Sequence, residues 1–253
     1  MKVLIVHHSN LIGGAGNSMI ELVKTLKKNN PYLKISVLLP KTNHSEISKK
    51  LKLFNINHTI ADFEVGMIPL YSGGTNVFSP SMIKNLKNIF LYKKNIKKII
   101  DDYDLIFLNS ITTSWITLIS SKPQIVYVRE TLPVNFEFLC KKIYTIFLQR
   151  AFKNIFISNY DASKFDSVQK TIIYNSYEHK QIKKPIPRSN TKILFMGGYS
   201  RIKGLNLILK SLIMLKKYDI EFTILGYNKL NKRKISYWTY AYWFVFLWRD
   251  CSA

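Results

Sequence analysis

The sequence predicts an α/β fold built on a parallel sheet. Lys2 to His7 reads KVLIVH, an apolar, β-branched run typical of a strand that is buried on both faces. A glycine-rich loop over residues 9–16 follows this run. A helical pattern comes next, with one apolar face formed by Met19, Ile20, Val23 and Leu26. Strand, glycine loop and helix together are the first unit of a Rossmann-like sheet.

The glycine loop predicts a phosphate site. Gly13, Gly14 and Gly16 lie close together, so a ligand can approach the backbone and meet the amides of the helix that follows. We expect Asn17 and Ser18 to cap that helix. Gly14 and Gly16 match only the first half of the dinucleotide fingerprint, and a simple tight turn is the alternative.

Further apolar runs predict a repeated α/β pattern. Strands are expected at residues 32–40, 57–61, 104–109, 124–128, 154–158 and 170–174, with a helix at 45–54. Residues 64–80 form a loop-rich segment that we expect to be mobile and to border a cleft.

Polar residues follow two of the strands: Asn109 and Ser110 after one, Arg129 and Glu130 after the other. Open α/β sheets bind ligands at such strand ends. Glu130 has a structural alternative, which is to cap the next helix or to pair with Arg129.

A long helix is predicted at residues 81–102. Six apolar residues are expected on one side of this helix: Ile83, Leu86, Phe90, Ile96, Ile99 and Ile100. The rest of its surface is rich in lysine: Lys84, Lys87, Lys93, Lys94, Lys97 and Lys98. A basic amphipathic helix can lie on an anionic membrane, and a core helix with a solvated lysine face is the alternative. The following helix carries Phe138, Ile143, Ile146 and Phe147.

Charge and composition limit the class of partner. Across 253 residues, 38 Lys and Arg against 15 Asp and Glu give a net charge of +23. This indicates an anionic partner such as a phosphorylated ligand, an acidic membrane surface or nucleic acid, with compositional drift as the alternative. The two cysteines and five histidines show no metal-ligand spacing, so we expect no metal site and a reducing compartment.

The chain is expected to contain two domains. Residues 1–178 form the first, and residues 179–190, which are basic and contain two prolines, form a linker. Residues 191–230 restart the pattern with a strand, a helix over 203–217 and a second strand. Residues 231–253 form an aromatic tail that we leave unassigned.

Several segments resemble the GT-B glycosyltransferases of family 4, which are retaining and use nucleotide sugars. KVLIVH with IGGAGNSMIELVKTL resembles the opening of that family, and TIIYNSYE resembles the end of its first domain. ILFMGGYSRIKGLNLILKSL resembles the start of its second domain and is the most specific match. The resemblance implies a complete GT-B N-terminal domain on the acceptor side and a truncated donor-side domain.

The resemblance also implies roles for individual residues. It makes Glu130 and Arg129 catalytic, places Asn109 and Ser110 on the acceptor side, and assigns donor binding to Gly13, Gly14, Arg201, Lys203 and Gly204. The implied reaction moves a sugar from a nucleotide sugar to a glycan or lipid-linked acceptor in cell-envelope polysaccharide synthesis. No cofactor beyond this co-substrate is implied. We expect a cytoplasmic protein, peripheral on the inner face of the membrane, that binds no nucleic acid.

The sequence departs from the family pattern at three points. Gly198 stands where the family usually has an arginine, and Arg129 stands where it often has histidine. The pair of glutamates that binds the donor in the family is not found, so we expect a truncated and inactive form. A non-catalytic binding remnant and a nicotinamide-dependent enzyme remain alternatives. A nicotinamide-dependent enzyme is expected to have an acidic residue after its second strand, and this sequence has Pro40 and Lys41 there.

Overall fold

The computed structural model describes residues 1–63, 65, 67–72, 74, 78–175, 191–196, 203–215, 218 and 220–224. The chain divides into two units, Met1–Tyr177 and Glu178–Ala253. The predicted linker and the aromatic tail lie outside the described residues.

The described part of the first unit contains a seven-stranded, fully parallel sheet. Its strands are β1 Lys2–Val6, β2 Lys34–Leu39, β3 Asn57–Ile60, β4 Leu105–Leu108, β5 Gln124–Val128, β6 Lys153–Phe156 and β7 Lys170–Ile172. They are arranged in the order β3-β2-β1-β4-β5-β6-β7. The order reverses between β1 and β4, so β1 is an interior strand and its carboxyl end lies at the switch point where such sheets bind ligands. The predicted α/β fold is confirmed.

Helices cover both faces of this sheet. They are α1 Gly14–Asn29, α2 Glu46–Leu53, α3 Pro80–Asp101, a 3₁₀ helix Ile111–Leu118, α4 Glu137–Leu148 and α5 Asn159–Ser163. Successive strand residues point to opposite faces. Val3 and Ile5 therefore pack in one core with α1 and α2, whereas Leu4 and Val6 pack in the other with α3, the 3₁₀ helix and α4.

The start of α1 differs from the prediction. The helix begins at Gly14, and Gly13 is its N-cap, without a side-chain cap hydrogen bond. Asn17 and Ser18 therefore lie inside the helix, and the expectation that they cap it was wrong. Glycine supplies an acceptable N-cap without a side chain, which a search for polar caps misses.

The apolar residues of α3 do not share one side. Ile96 and Ile100 are fully buried against the sheet and Ile99 packs partly beside them, but Ile83 and Phe90 are 68% and 69% exposed. Leu86 is exposed as well. The predicted single apolar stripe was therefore wrong, because the helix has two apolar faces and only one meets the core.

A similar division occurs on α4. Cys140, Tyr144 and Phe147 are buried, whereas Phe138 is 70% exposed and Ile146 is 54% exposed. Side chains four residues apart lie on the same side of a helix, which places Cys140, Tyr144 and Leu148 together in the core. Phe138 and Ile146 fall outside that row, so the apolar residues named for this helix in the sequence are only partly core residues.

The second unit contains β8 Thr191–Phe195, α6 Leu205–Leu215 and β9 Ile220–Ile224. The two strands pair in parallel. Leu205, Leu212 and Phe222 form a small buried cluster, against which Ile208 and Leu209 pack. Strand, helix and parallel strand appear in the order that the sequence predicts.

Candidate functional site

Three neighbouring strands deliver polar residues to one edge of the sheet. β1, β4 and β5 are adjacent and parallel, so their carboxyl ends lie side by side. The residues that directly follow these strands include a group that we call the edge cluster: His7, Asn109, Ser110, Arg129 and Glu130. The sequence predicted four of these five residues from the position of strand ends.

Asn109 connects Arg129 to His7. Nε of Arg129 donates to Oδ1 of Asn109 at 3.1 Å, and Nδ2 of the same asparagine lies 3.0 Å from Nδ1 of His7. Since Oδ1 is the acceptor for arginine, Nδ2 must donate to the imidazole, which is then protonated on Nε2 and neutral. Burial lowers the pKa of His7 well below its ordinary value, and the nearby His8 and Arg129 lower it further.

Arg129 is held by neutral groups. Its Nη1 donates to Oγ of Ser18 at 2.9 Å and to Oδ1 of Asn175 at 3.0 Å, and its guanidinium lies 3.9 Å from the ring centroid of Tyr127. Among the described residues, no carboxylate oxygen lies within 4.0 Å of its guanidinium nitrogens. Burial lowers the pKa of Arg129, although an arginine stays charged at neutral pH. The cluster thus presents a fixed positive charge.

Glu130 is fully engaged by hydrogen-bond donors. Oε1 accepts from Oγ of Ser110 at 2.6 Å, and Oε2 accepts from the backbone amides of Ile111 at 2.9 Å and Arg129 at 3.2 Å. The carboxylate therefore binds the first amide of the 3₁₀ helix, where negative charge is favourable. The sequence predicted two structural alternatives for Glu130, to cap the next helix or to pair with Arg129, and neither occurs in that form. Glu130 binds the backbone amide of Arg129 and not its guanidinium. It also binds the first amide of the 3₁₀ helix, which comes before Glu130 in the chain.

A loop borders the same edge. The amide of Ile68 donates to the carbonyl of Thr112 at 2.9 Å, and the amide of Ser72 donates to the carbonyl of Thr131 at 2.8 Å. The buried hydroxyl of Tyr144 donates to the carbonyl of Ile68 and accepts from the amide of Leu70. Residues 67–72 are thereby anchored beside the edge cluster, within the segment that the sequence marks as loop-rich.

His8 and Tyr71 also lie near the cluster. Nδ1 of His8 is buried and has no hydrogen-bond partner among the described residues. Burial lowers the pKa of His8, Glu130 raises it and Arg129 lowers it. Burial and the charge of Glu130 raise the pKa of Tyr71. Both side chains are additional candidates for contact with a ligand at this edge.

The glycines of the first loop differ from one another in their surroundings. A Cβ atom at Gly13 or Gly14 would meet nothing within 4 Å, so the backbone there borders open space. At Gly16 a Cβ would lie 2.7 Å from Cδ1 of Ile47, so any larger residue there would displace that buried side chain. Gly13 and Gly14 remain the two loop glycines available to a ligand.

The donor residues expected in the second unit lie at the start of α6. Lys203 and Gly204 directly precede that helix, and Gly204 has a φ of +78°, a value that favours glycine. Arg201 lies outside the described residues.

Sequence reasoning missed His7, His8, Ser18 and Asn175. His7 and His8 directly follow β1, and the same strand-end rule that selected Asn109 and Arg129 also applies to them. Ser18 was interpreted as a helix cap, and its contact with Arg129 spans 111 positions. No local pattern reveals such a contact.

Within the described ranges, no group of three or more His, Cys, Asp or Glu side chains could hold a metal ion. A membrane-crossing helix would need greater length and apolarity than any helix of the described residues has.

Solved structures with the same fold include proteins that handle nucleotide sugars. HepE of Anabaena, solved with UDP and glucose, is 15% identical over 98% of this chain and 69% of that chain, with a TM-score of 0.67. The lipopolysaccharide outer core galactosyltransferase WaaB is 14% identical over 95% of this chain, with a TM-score of 0.60. This chain spans 65% of WaaB.

A third similar structure is UDP-GlcNAc 2-epimerase from Neisseria meningitidis, solved with UDP-GlcNAc. It is 16% identical over 99% of this chain and 72% of that chain, with a TM-score of 0.58. No family model and no curated protein sequence matches the chain. At these identities the likeness shows the fold, which is the α/β fold of the GT-B glycosyltransferases.

Proposed function

We propose that this chain is a glycosyltransferase of the retaining family-4 type, whose reaction moves a sugar from a nucleotide sugar to a glycan or lipid-linked acceptor in cell-envelope polysaccharide synthesis. The inactivity expected from the sequence stays a prediction. The observation that carries the proposal is Arg129, a partly buried guanidinium at the carboxyl edge of the sheet with only neutral hydrogen-bond partners among the described residues. A departing nucleoside diphosphate develops negative charge, and a fixed cation stabilises it.

The first-unit residues then divide into three roles. The open backbone at Gly13 and Gly14 lies at the amino end of α1, where amides and the helix dipole favour a phosphate. Arg129 supplies the positive charge. Asn109 and Ser110, expected on the acceptor side, are fully buried, and their side chains hold Arg129 and Glu130 in place.

Glu130 acts in this proposal mainly by positioning. Its two oxygens already accept three hydrogen bonds, so little acceptor capacity remains for a substrate. It fixes Ser110 and the backbone of Arg129 relative to each other. In the second unit, Lys203, Gly204 and Arg201 remain the residues that the family resemblance proposes for the donor.

A nucleotide-sugar epimerase is the second candidate function. The likeness to UDP-GlcNAc 2-epimerase favours it, because that structure shares the fold at a similar TM-score. Both candidates bind the same class of donor. They differ in products, since a transferase releases nucleoside diphosphate whereas an epimerase returns an altered nucleotide sugar.

Calorimetry with the 253-residue protein tests the proposal. UDP-glucose, UDP-galactose, UDP-GlcNAc and GDP-mannose are titrated separately, with NAD as the comparison ligand. Saturable binding of at least one nucleotide sugar, and none of NAD, is expected. Chromatography of the products, with and without membrane-lipid acceptors, then separates transfer from epimerisation. Binding of NAD alone, or of no nucleotide at all, would contradict the proposal.

A further inference from the structure

A cleft lies at the amino edge of the sheet, opposite the edge cluster. Residues 120–124 lead into β5 and residues 150–152 lead into β6, and these two strands are adjacent and parallel. The two segments line a cavity of about 450 Å³, a volume in the range of small-molecule sites. We call this cavity the amino-edge cleft, and its lining includes Ser120, Ser121, Lys122, Gln124, Arg150 and Phe152.

The loop on one side of the cleft is fixed by its own hydrogen bonds. The amide of Lys122 donates to Oγ of Ser120 at 3.2 Å, and Nε2 of Gln124 donates to the carbonyl of Ser120 at 3.0 Å. The carbonyl of Pro123 accepts from the amide of Ile106 at 3.0 Å, which joins the loop to β4. A loop held in this way loses little freedom when a ligand binds, and such preorganisation favours affinity.

Lys122 and Arg150 give the lining two positive charges. Among the described residues, neither side chain has a carboxylate oxygen within 4.0 Å or another hydrogen-bond partner. Lys122 is half-buried, so water screens its charge less than that of a fully exposed lysine. An anion in the cleft can therefore form charge-assisted hydrogen bonds with both side chains.

Gln124 has a hydrogen-bond acceptor without a partner. Its side chain is 3% exposed and its Nε2 is engaged by Ser120, whereas Oε1 has no partner in the part of the chain that the structure describes. A buried acceptor without a donor costs free energy, and a donor on a ligand removes this cost. A hydroxyl group is such a donor, and the hydroxyls of Ser120 and Ser121 can bind further hydroxyls.

Phe152 adds an aromatic ring to this polar lining. The side chain is 68% exposed, so one face of the ring is free to contact a ligand. The face of an aromatic ring is negatively polarised and attracts C–H bonds, which a sugar ring presents on its less polar side.

We propose that the amino-edge cleft binds a sugar that carries a carboxylate or a phosphate. The anionic group contacts Lys122 and Arg150, a hydroxyl donates to Oε1 of Gln124, and the sugar ring packs on Phe152. A bare anion would use only the two cations, and a neutral sugar would leave both charges unpaired. An acidic sugar uses all four residues.

The amino-edge cleft is separate from the edge cluster. Gln124 and Arg129 lie at opposite ends of β5, which places them roughly 16 Å apart at about 3.3 Å per residue. A ligand in the cleft therefore shares no contact with a nucleotide sugar at Arg129. The cleft would hold an acidic sugar, free or within a polysaccharide, while transfer takes place at the other edge. That last link rests on the proposed function, whereas the binding does not.

Calorimetry with the full chain tests the binding. Galacturonate and glucose 6-phosphate are the free acidic sugars, oligogalacturonate is the acidic glycan, and maltohexaose and inorganic phosphate are the comparisons. We expect saturable binding of the acidic sugars and at least about tenfold weaker binding of both comparison ligands, because each lacks one kind of contact. Tighter binding of oligogalacturonate than of galacturonate identifies a polysaccharide as the source, and equal affinity identifies a free sugar acid. Equal binding of maltohexaose, or no saturable binding of any acidic sugar, would overturn the proposal.

A charge variant and its matched control locate the anion. K122M/R150M should weaken the binding of galacturonate by about tenfold or more, because two charge-assisted contacts are lost. K28M/K49M also removes two positive charges, from exposed positions on α1 and α2, and should retain the binding. Equal losses in the two variants would make the binding a property of overall charge, and the proposal would be wrong.

Phe152→Ala separates a sugar site from a simple anion site. Loss of the ring should weaken the binding of galacturonate by about fivefold and leave the weak binding of phosphate unchanged. Leu53→Ala is the control, since Leu53 is 76% exposed on α2 and should have no effect. An unchanged affinity of F152A for galacturonate would contradict a sugar in the cleft.

NMR locates the bound sugar directly. Galacturonate should shift the side-chain amide resonances of Gln124 and leave those of Asn109 unchanged. Shifts at Asn109 alone would place the ligand at the edge cluster and overturn the proposal. Nucleotide-sugar binding is measured in parallel, so a protein that binds galacturonate but no nucleotide sugar would contradict the proposed function alone. The reverse result would contradict the cleft alone.

Discussion

Nε of Arg129 donates to Oδ1 of Asn109 across 3.1 Å, and this bond fixes the orientation of the asparagine amide. The amide nitrogen is thereby directed at His7, and three strands of the sheet are joined through one fully buried side chain. We expect Asn109→Ala to lower the free energy of unfolding by about 2–3 kcal/mol, because two buried polar groups lose their partner. Urea denaturation measures this.

Asn159→Ala provides the comparison for that substitution. The amide of Asn159 also donates one hydrogen bond, to the hydroxyl of Tyr174 at 2.9 Å, but the pair is exposed. Its loss should cost under about 0.5 kcal/mol, as is usual for surface substitutions. Similar losses for the two variants would show that Asn109 has no special role in the cluster.

The buried His7 predicts a loss of stability in mild acid. Its pKa is lowered in the folded protein by burial, by His8 and by Arg129, so the folded state disfavours the protonated ring. Protonation then favours the unfolded chain once the pH falls below the unfolded pKa of about 6.5, with a slope of up to about 1.4 kcal/mol per pH unit. Stability is fully present above this pH and declines below it.

Urea denaturation between pH 7.5 and 5.0 measures the effect. His7→Gln, whose carbonyl oxygen can still accept from Asn109, should reduce the slope relative to wild type. Replacement of the exposed His44 by glutamine should leave it unchanged. A slope that does not respond to His7→Gln would place the acid sensitivity in another group.

Glu130→Gln should destabilise the protein. The amide group has one acceptor where the carboxylate has two, so at least one donor among Ser110, Ile111 and the Arg129 amide loses its partner. Hydrogen bonds to charged groups contribute about 1.5–3 kcal/mol, which sets the expected loss. Glu21→Gln is the control, because that glutamate makes an exposed ion pair with Lys24 at 2.9 Å and its loss should cost under about 1 kcal/mol.

Thermal and urea denaturation of both glutamine variants, together with turnover, distinguish a structural role of Glu130 from a catalytic one. A stable E130Q protein that has lost only turnover would mean that Glu130 acts on substrate. We expect stability and turnover of the E130Q protein to fall together. We also expect its donor binding to recover partly at low temperature.

Tyr144→Phe tests the anchoring of residues 67–72. The hydroxyl bonds Ile68 and Leu70, and the rest of the ring lies in the core. Its removal leaves a buried amide and carbonyl without their partner, at a cost of about 1–3 kcal/mol. Hydrogen exchange at the Leu70 amide should become faster, whereas Tyr174→Phe on the exposed surface should not change it. Unchanged exchange at Leu70 would show that other contacts hold the loop.

The interior strands were the most predictable, because most of their side chains are buried on both faces. Residues 2–7 and 124–128 are almost continuously apolar, and such runs indicate parallel strands without knowledge of their partners. The edge cluster was predictable in part, because Asn109 and Arg129 lie directly at strand ends. The contacts of Ser18 and Asn175 with Arg129 could not be predicted, because they join distant parts of the chain.

The helix faces were less predictable for a different reason. α3 carries apolar residues at spacings that fit two overlapping faces, and only the sheet decides that Ile96 is buried and Phe90 exposed. The 3₁₀ helix at Ile111–Leu118 was missed because seven of its eight residues are buried on all sides, which removes the periodic signal. Burial is thus a property of the assembled layers, and local spacing alone does not determine it.

Donor affinity of two arginine variants tests the central claim most directly. Arg129→Met removes the positive charge of the edge cluster, whereas Arg150→Met removes an exposed charge at the end of α4, near the amino edge of the sheet. Calorimetry with the nucleotide sugar that binds best to wild type should show at least about a tenfold loss for R129M, equal to about 1.4 kcal/mol, and no change for R150M. Equal affinities in the two folded variants would contradict the assignment of nucleotide-sugar binding to this edge.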